Sequence, residues 1–168
     1  FDEAAWLVLW QLGLPLDSPL DGADSVSNSP VAITSQSQIA TLLRARIETR
    51  KPAAYLTHEA WLQGVPFYVD ERAIVPRSLI AELLADGGID PWLGAHTHSV
   101  LDLCTGNGSL AVLAAMAYSE VRVDAADIST DALEVARINV DKHQLQHRIT
   151  LLPSDGLAQV GGPYDLIL

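Results

Sequence analysis

The stretch VLDLCTGNGSLAVLA, residues 100–114, decides how this chain is read. An apolar run carrying one acid, Asp102, breaks at Gly106 and Gly108 and resumes as small and apolar residues. A buried strand reads this way when a tight turn and the N-terminus of a helix follow it. The pattern then repeats. SVLDLC (99–104) and SLAVLAAMAYS (109–119) give the first strand and helix. VRVDAADI (121–128) and TDALEVARINVDKHQ (130–144) give the second pair, with Ser129 or Thr130 as cap. ITLLPSD (149–155) and YDLIL (164–168) read as a third and fourth strand. Strands alternating with helices of this length predict an α/β fold with a doubly wound parallel sheet and ligands at the carboxyl ends of its strands.

Ahead of the sheet the chain changes character twice. Residues 1–50 read as helical: Trp6, Leu9, Trp10 and Leu14 recur at helical spacing, and Trp6 and Trp10 suit a core or a docking face. The turn-rich LPLDSPLDGADSVSNSP (14–30) follows. A second helix then carries Ile39, Leu42, Leu43 and Ile47 on one face, capped by Ser35 or Ser37 and ended by Lys51-Pro52. From Ala53 the expectation is extended structure, with FYVDERAIVP (67–76) folding as a hairpin about its polar Asp-Glu-Arg. SLIAELLADGG (78–88) reads as a short helix closing on Gly87-Gly88. The expected domains are a helical 1–52, a connector 53–77 and a truncated ligand-binding domain 78–168. The chain starts without Met and stops on a strand, which reads as a fragment whose sheet continues past Leu168.

Composition narrows the partners. The 168 residues are 49% hydrophobic and 18% charged, which suits a folded core. Ten Lys and Arg against 21 acids give a net charge of −11, a poor surface for phosphates, so nucleic acid is not an expected partner. A small molecule or a basic protein fits better, although acidity also simply aids solubility. The single cysteine makes no internal disulfide, no apolar run is long enough for a membrane helix, and a cytoplasmic location is the expectation.

The glycine turn leaves two cofactor classes open. Gly106, Gly108 and Ala111 satisfy G-x-G-x-x-A, the dinucleotide fingerprint, and Asp127 ends the next strand where a ribose-binding acid belongs. Asp102 separates the classes. A carboxylate this close to the turn repels a pyrophosphate, whereas S-adenosylmethionine carries cationic ammonium and sulfonium groups. Its methionine carboxylate is expected at the helix N-terminus. The rival reading of Asp102 is a carboxylate that only caps the loop.

Other residues carry less. Cys104 lies beside Asp102, whose charge opposes a thiolate, so small-residue packing is the expectation. His96, His98, His143 and His147 lack the further ligands a zinc site needs, and no metal is expected. His58 fits a hydrogen bond within the connector better than direct catalysis, and Asp124 reads as a solvated strand-end acid.

Taken in order, VLDLCTGNG, VDAADIS, LLPSDGL and YDLIL resemble the motifs of class I (Rossmann-like) methyltransferases. KPAAYLTHEAWLQGVPFYVDERAIVPRSLIAELL (51–84) resembles, more specifically, the connector of HemK-type protein-glutamine N5-methyltransferases, a β-hairpin ending in Pro-Arg, here Pro76-Arg77. THEAW, FYVDER and the Cys of DLCTGNG resemble most the branch that methylates the third large-subunit ribosomal protein. The release-factor branch more usually has Gly at Cys104 and Pro at Ser78.

The resemblance spans residues 36–168. It implies Asp102 near the amino group of S-adenosylmethionine and Cys104, Thr105, Gly106, Asn107 and Gly108 along its methionine moiety. It implies Asp127 on the ribose, with Ile128 beside it, and Asp155 and Gly156 beside the adenine. Phe67 and Arg77 are implied to help close the site. The catalytic Asn-Pro-Pro-Tyr loop is implied just after Leu168, where it would accept hydrogen bonds from the substrate amide and localise the nitrogen lone pair. The implied partner is a basic ribosomal protein, or alternatively a release factor. A small-molecule or nucleic-acid amine methyltransferase and a non-catalytic cofactor-binding module remain open.

Overall fold

A computed structural model describes residues 2–21, 25–28 and 30–168; part of the expected turn-rich stretch, residues 22–24 and 29, lies outside them. Two compact units divide at Thr57 and His58. In the first, α1 (Glu3–Gln11) starts because the Asp2 side chain accepts from the N–H groups of Ala4 and Ala5, at 3.0 and 3.1 Å. It stops at Gly13, φ +66°, with Leu14 N–H bonded to the Leu9 carbonyl. Leu14 therefore falls beyond the helix that its spacing suggested.

α2 (Ile33–Thr49) begins two residues before Ser35. Neither expected serine caps it: its cap position is Ala32, with no side-chain bond, and Ser37 bonds back to the Ile33 carbonyl instead. The helix ends at Arg50, in the left-handed region, before Lys51-Pro52 is reached. Residues 53–57 are not extended. They form α3 (Ala53–Thr57), nucleated by Pro52, whose carbonyl accepts from Tyr55 N–H, and by Glu3, which accepts from Ala53 N–H. Trp6, Leu7 and Ala53 form the buried core, with Leu42 and Leu43 of α2 against it; Ile47 stays exposed.

In the second unit the hairpin lies earlier than expected. β1 (Ala60–Leu62) pairs antiparallel with β2 (Val65–Phe67) across Gln63-Gly64, whose φ values of 49° and 74° define a two-residue turn with positive φ at both positions. The Asp-Glu-Arg segment makes a separate turn. Ala73 N–H returns to the Asp70 carbonyl, and the Asp70 carboxylate takes Arg72 and the Tyr68 hydroxyl. α4 (Leu79–Ala85), capped by Ser78, ends near Gly87.

The sheet contains β3 (Ser99–Leu103), β4 (Arg122–Asp127), β5 (Ile149–Pro153) and β6 (Leu166–Ile167), all parallel, in the order β5-β4-β3-β6. The α/β class and the parallel alternation are as the sequence predicts. The chain steps outward from β3 to β5 and then returns to β3's other flank, so β3 marks the switch point where such sheets hold ligands. α5 (Ser109–Ala117) packs its buried Ala111, Val112, Ala114 and Ala115 against Val100, Val123 and Ala125 of the sheet. α6 (Thr130–Lys142), capped by Ser129, lies beside it. Asp124 is not a solvated end: it is half-buried within β4 and accepts from Tyr164 Oη at 2.7 Å. Among the described residues no helix is long and apolar enough to cross a membrane.

Candidate functional site

The strand order brings the predicted residues to one edge. Asp102 lies near the end of β3 and Cys104–Gly108 follow that strand, Asp127 ends β4 with Ile128 next to it, and Asp155 and Gly156 follow β5. The turn after β3 is built around two carboxylates. Asp102 is 2% exposed, and its Oδ2 accepts from Thr105 Oγ1 and, at 3.0 Å, from Ala111 N–H. Gly108, at the cap position of α5, has no side chain to cap it. Asp102 therefore supplies the cap from the neighbouring strand, with Asn107 Oδ1 taking Ser109 N–H at 3.3 Å.

This modifies the expectation for the helix N-terminus. Two of its first-turn donors are already bound to the protein's own acceptors, so little of it is left for a ligand's carboxylate. A pyrophosphate would meet a helix end already capped by a carboxylate. Burial pushes the Asp102 carboxyl above the usual range, the Thr105 and Ala111 bonds oppose that, and the charge of Asp127 adds to it. Both of these intramolecular bonds fall on Oδ2.

Asp127 ties the turn to β4. Its Oδ2 accepts from Gly106 N–H at 2.8 Å and its Oδ1 from Ser129 N–H at 2.9 Å. Each oxygen keeps a lone pair beyond these bonds. Ile128 next to it is 70% exposed, an apolar surface at the strand end. Beyond β5, buried Ser154 gives its N–H to the Asp127 carbonyl, and its hydroxyl bridges Gly156 O and Gln159 N–H. Asp155 itself is exposed. The edge thus carries three carboxylates and, among these residues, no basic side chain.

Two glycines of the turn serve different ends. A Cβ on Gly108, φ +79°, would meet Ala136 Cβ at 3.0 Å, so this glycine permits α5 and α6 to touch. At Gly106, φ +57°, nothing lies within 4 Å, and the space before the backbone is open. Cys104 departs from expectation. It is exposed rather than packed, and its φ of 61° is left-handed, so glycine suits this position for its backbone freedom.

Phe67 and Arg77 do not join the edge. Phe67 is fully buried in the core and tilted against His143, so it has no surface for a ligand. Arg77 lines a groove with Trp61, Leu62, Pro76, Leu79 and Glu82, which includes no residue of the glycine turn. His58 does hold the connector, its Nδ1 donating to the Val69 carbonyl at 3.3 Å and its ring stacked on Tyr68.

Sequence reasoning missed Ser154 and Asn139. Asn139 is completely buried and bonds to both Tyr68 and Asn107. One signal existed: it is a polar residue on the apolar stripe of α6, in line with Ala132, Val135 and Ala136.

Comparison with known proteins agrees with this architecture. A family model of the methyltransferase small domain matches residues 81–168. The chain is 45% identical over 99% of its length to the ribosomal protein uL3 glutamine methyltransferase of Neisseria meningitidis (serogroup A), covering 54% of that protein. For the enzyme of the same name from Bordetella pertussis the values are 49%, 90% and 50%, and from Burkholderia pseudomallei 48%, 92% and 50%. The chain therefore spans about half the length of the curated relatives it matches. Among solved structures, an S-adenosylmethionine-dependent methyltransferase from Agrobacterium tumefaciens shares the fold, with a TM-score of 0.50 and 21% identity over 65% of this chain and 37% of that one. On the family model and the sheet together, the chain belongs to the methyltransferase small-domain family.

Proposed function

We propose that the carboxyl edge of the sheet binds S-adenosylmethionine, and that the full-length protein methylates a glutamine side-chain amide in ribosomal protein uL3. The observation that carries the cofactor reading is the Asp102 cap. It puts a buried carboxylate, with Asp127 beside it, where a dinucleotide would bring phosphates. The residues present fit the cationic cofactor. Asn107 Nδ2 is buried without a partner, a donor awaiting an acceptor, and Gly106 leaves open space in front of the turn.

In this reading Asp102 Oδ1 receives the ammonium group, and residues 104–108 run along the methionine moiety. Asp127 takes the ribose hydroxyls, Ile128 offers an apolar face to the adenine, and Asp155 and Gly156 flank it. The bound cofactor supplies an electrophilic methyl on a sulfonium. The protein's part is orientation and electrostatics: the edge fixes the donor, and the amide loses one proton as its nitrogen takes the methyl. The expected Asn-Pro-Pro-Tyr loop would hold that amide. Identity to proteins named uL3 glutamine methyltransferases across nearly the whole chain supports the substrate, and a net charge of −11 suits a basic one.

Calorimetry with S-adenosylhomocysteine and NAD tests the first half; binding of the former alone is expected, and preference for NAD overturns it. Methyl transfer by the full-length protein to purified uL3 and to release factor tests the second. Transfer to uL3 is expected. Transfer to release factor alone overturns the substrate, and transfer to neither leaves a cofactor-binding module.

A further inference from the structure

The glycine turn and the connector are joined by one side chain that the proposed chemistry does not use. Asn139 of α6 donates through Nδ2 to the carbonyls of Asn107 and Tyr68, each at 2.9 Å, and accepts at Oδ1 from Tyr68 N–H at 2.7 Å. Both donors of the amide are spent. One helical turn later, His143 Nε2 donates to the Pro66 carbonyl at 3.0 Å. Asn139 and His143, the residue that caps the C-terminus of α6, thus hold the backbone of 66–68, but of the two only Asn139 also reaches the turn. The link continues outward: the Val69 carbonyl takes His58, and Asp70 takes the Tyr68 hydroxyl and Arg72. At the other end, the residue whose carbonyl Asn139 holds is Asn107, whose own buried Nδ2 has no partner.

We propose that Asn139 is a positioning residue that couples occupancy of the glycine turn to ordering of the connector at residues 66–70; this rests on the cofactor reading above. If the Asn139 amide turns away, the buried Asn107 carbonyl and the half-buried Tyr68 carbonyl and N–H lose their partner together, so the two segments stay ordered jointly. A ligand that engages Asn107 then stabilises the connector by linkage, with no contact to it.

Hydrogen exchange on the full-length protein, with and without S-adenosylhomocysteine, reads this directly. The ligand is expected to slow exchange at residues 66–70 severalfold in the unaltered protein. Asn139→Ala is expected to weaken S-adenosylhomocysteine binding about tenfold and to abolish that transmitted protection, while β3 and β4 stay protected. His143→Leu loosens the connector without touching the turn, and should leave the dissociation constant within about twofold. Binding without protection at 66–70 overturns the coupling and leaves the cofactor reading intact. His143→Leu weakening binding as much as Asn139→Ala also overturns the coupling. Failure of the unaltered protein to bind overturns the cofactor reading, and the coupling with it.

Discussion

The glycine turn at residues 104–108 and the connector at residues 66–70 are both held by side chains of other elements, but by chemically opposite ones. Apart from the one bond that Asn139 gives the Asn107 carbonyl, carboxylates hold the turn: Asp102 and Asp127 accept from Ala111, Gly106 and Ser129. A neutral amide and an imidazole hold the connector, through Tyr68 and Pro66. The difference matters because a carboxylate that accepts two backbone bonds still carries charge and unused lone pairs, whereas the Asn139 amide has spent both donors. The turn is built from groups with acceptor capacity left over, whereas the amide that joins it to the connector has no donor to spare.

The steepest way to break the turn is steric. Gly108→Ala combines a left-handed backbone with a Cβ 3.0 Å from Ala136, and should cost about 2 to 5 kcal/mol in chemical denaturation. Gly106→Ala has the strain without the collision, so about 1 to 2 kcal/mol is expected, with ligand affinity falling more than stability. Equal losses at both sites would show that α5 does not depend on contact with α6.

The contrast also explains what the sequence could reveal. Asp102, Thr105, Gly106 and Ala111 lie within nine residues of one another, so their chemistry is visible as spacing. The parallel sheet was legible for the same reason, since each strand and helix announces itself by its own period. The connector depends on pairs such as Tyr68 and Asn139, 71 residues apart, and no local pattern carries them. Hence Phe67 read as a ligand contact when it is core, and the hairpin was assigned to the polar Asp-Glu-Arg. The actual Gln63-Gly64 turn satisfies the same rule with a less familiar pair.

Asp102 separates cap from charge. Asp102→Ala removes the acceptor of Ala111 N–H and should cost about 2 to 3 kcal/mol. Asp102→Asn keeps an acceptor, and is expected within about 1 kcal/mol of the unaltered protein yet about tenfold weaker toward S-adenosylhomocysteine. The pH dependence has a fixed sign. Burial raises the folded carboxyl above its unfolded value, so its contribution is full below the unfolded pKa and is lost as pH rises through the folded one. The stability of Asp102→Asn relative to the unaltered protein should therefore improve from pH 4 toward pH 7. Asp127→Asn is milder: an amide retains one of the two acceptors and turns a donor toward the other N–H, costing about 1 to 2 kcal/mol in urea denaturation.

The connector should respond to pH in the opposite sense, and by the least. His143 is half-buried, and since a carbonyl only accepts, its Nε2 carries the proton given to Pro66. Burial holds its pKa below the ordinary histidine value; the Pro66 bond opposes this and Lys142 adds to it. The neutral ring is the folded form, so its contribution is present above the unfolded pKa and fades as pH falls through the folded one. Protection factors at residues 67–68, which correct for the pH dependence of intrinsic exchange, should fall as the pH drops through the acid side of the histidine range in the unaltered protein, and His143→Gln should flatten that fall. Over the same range the Asp102 cap gains rather than loses. If both segments loosened together on acidification, with His143→Gln making no difference, their opposite charge characters would not govern how they are held.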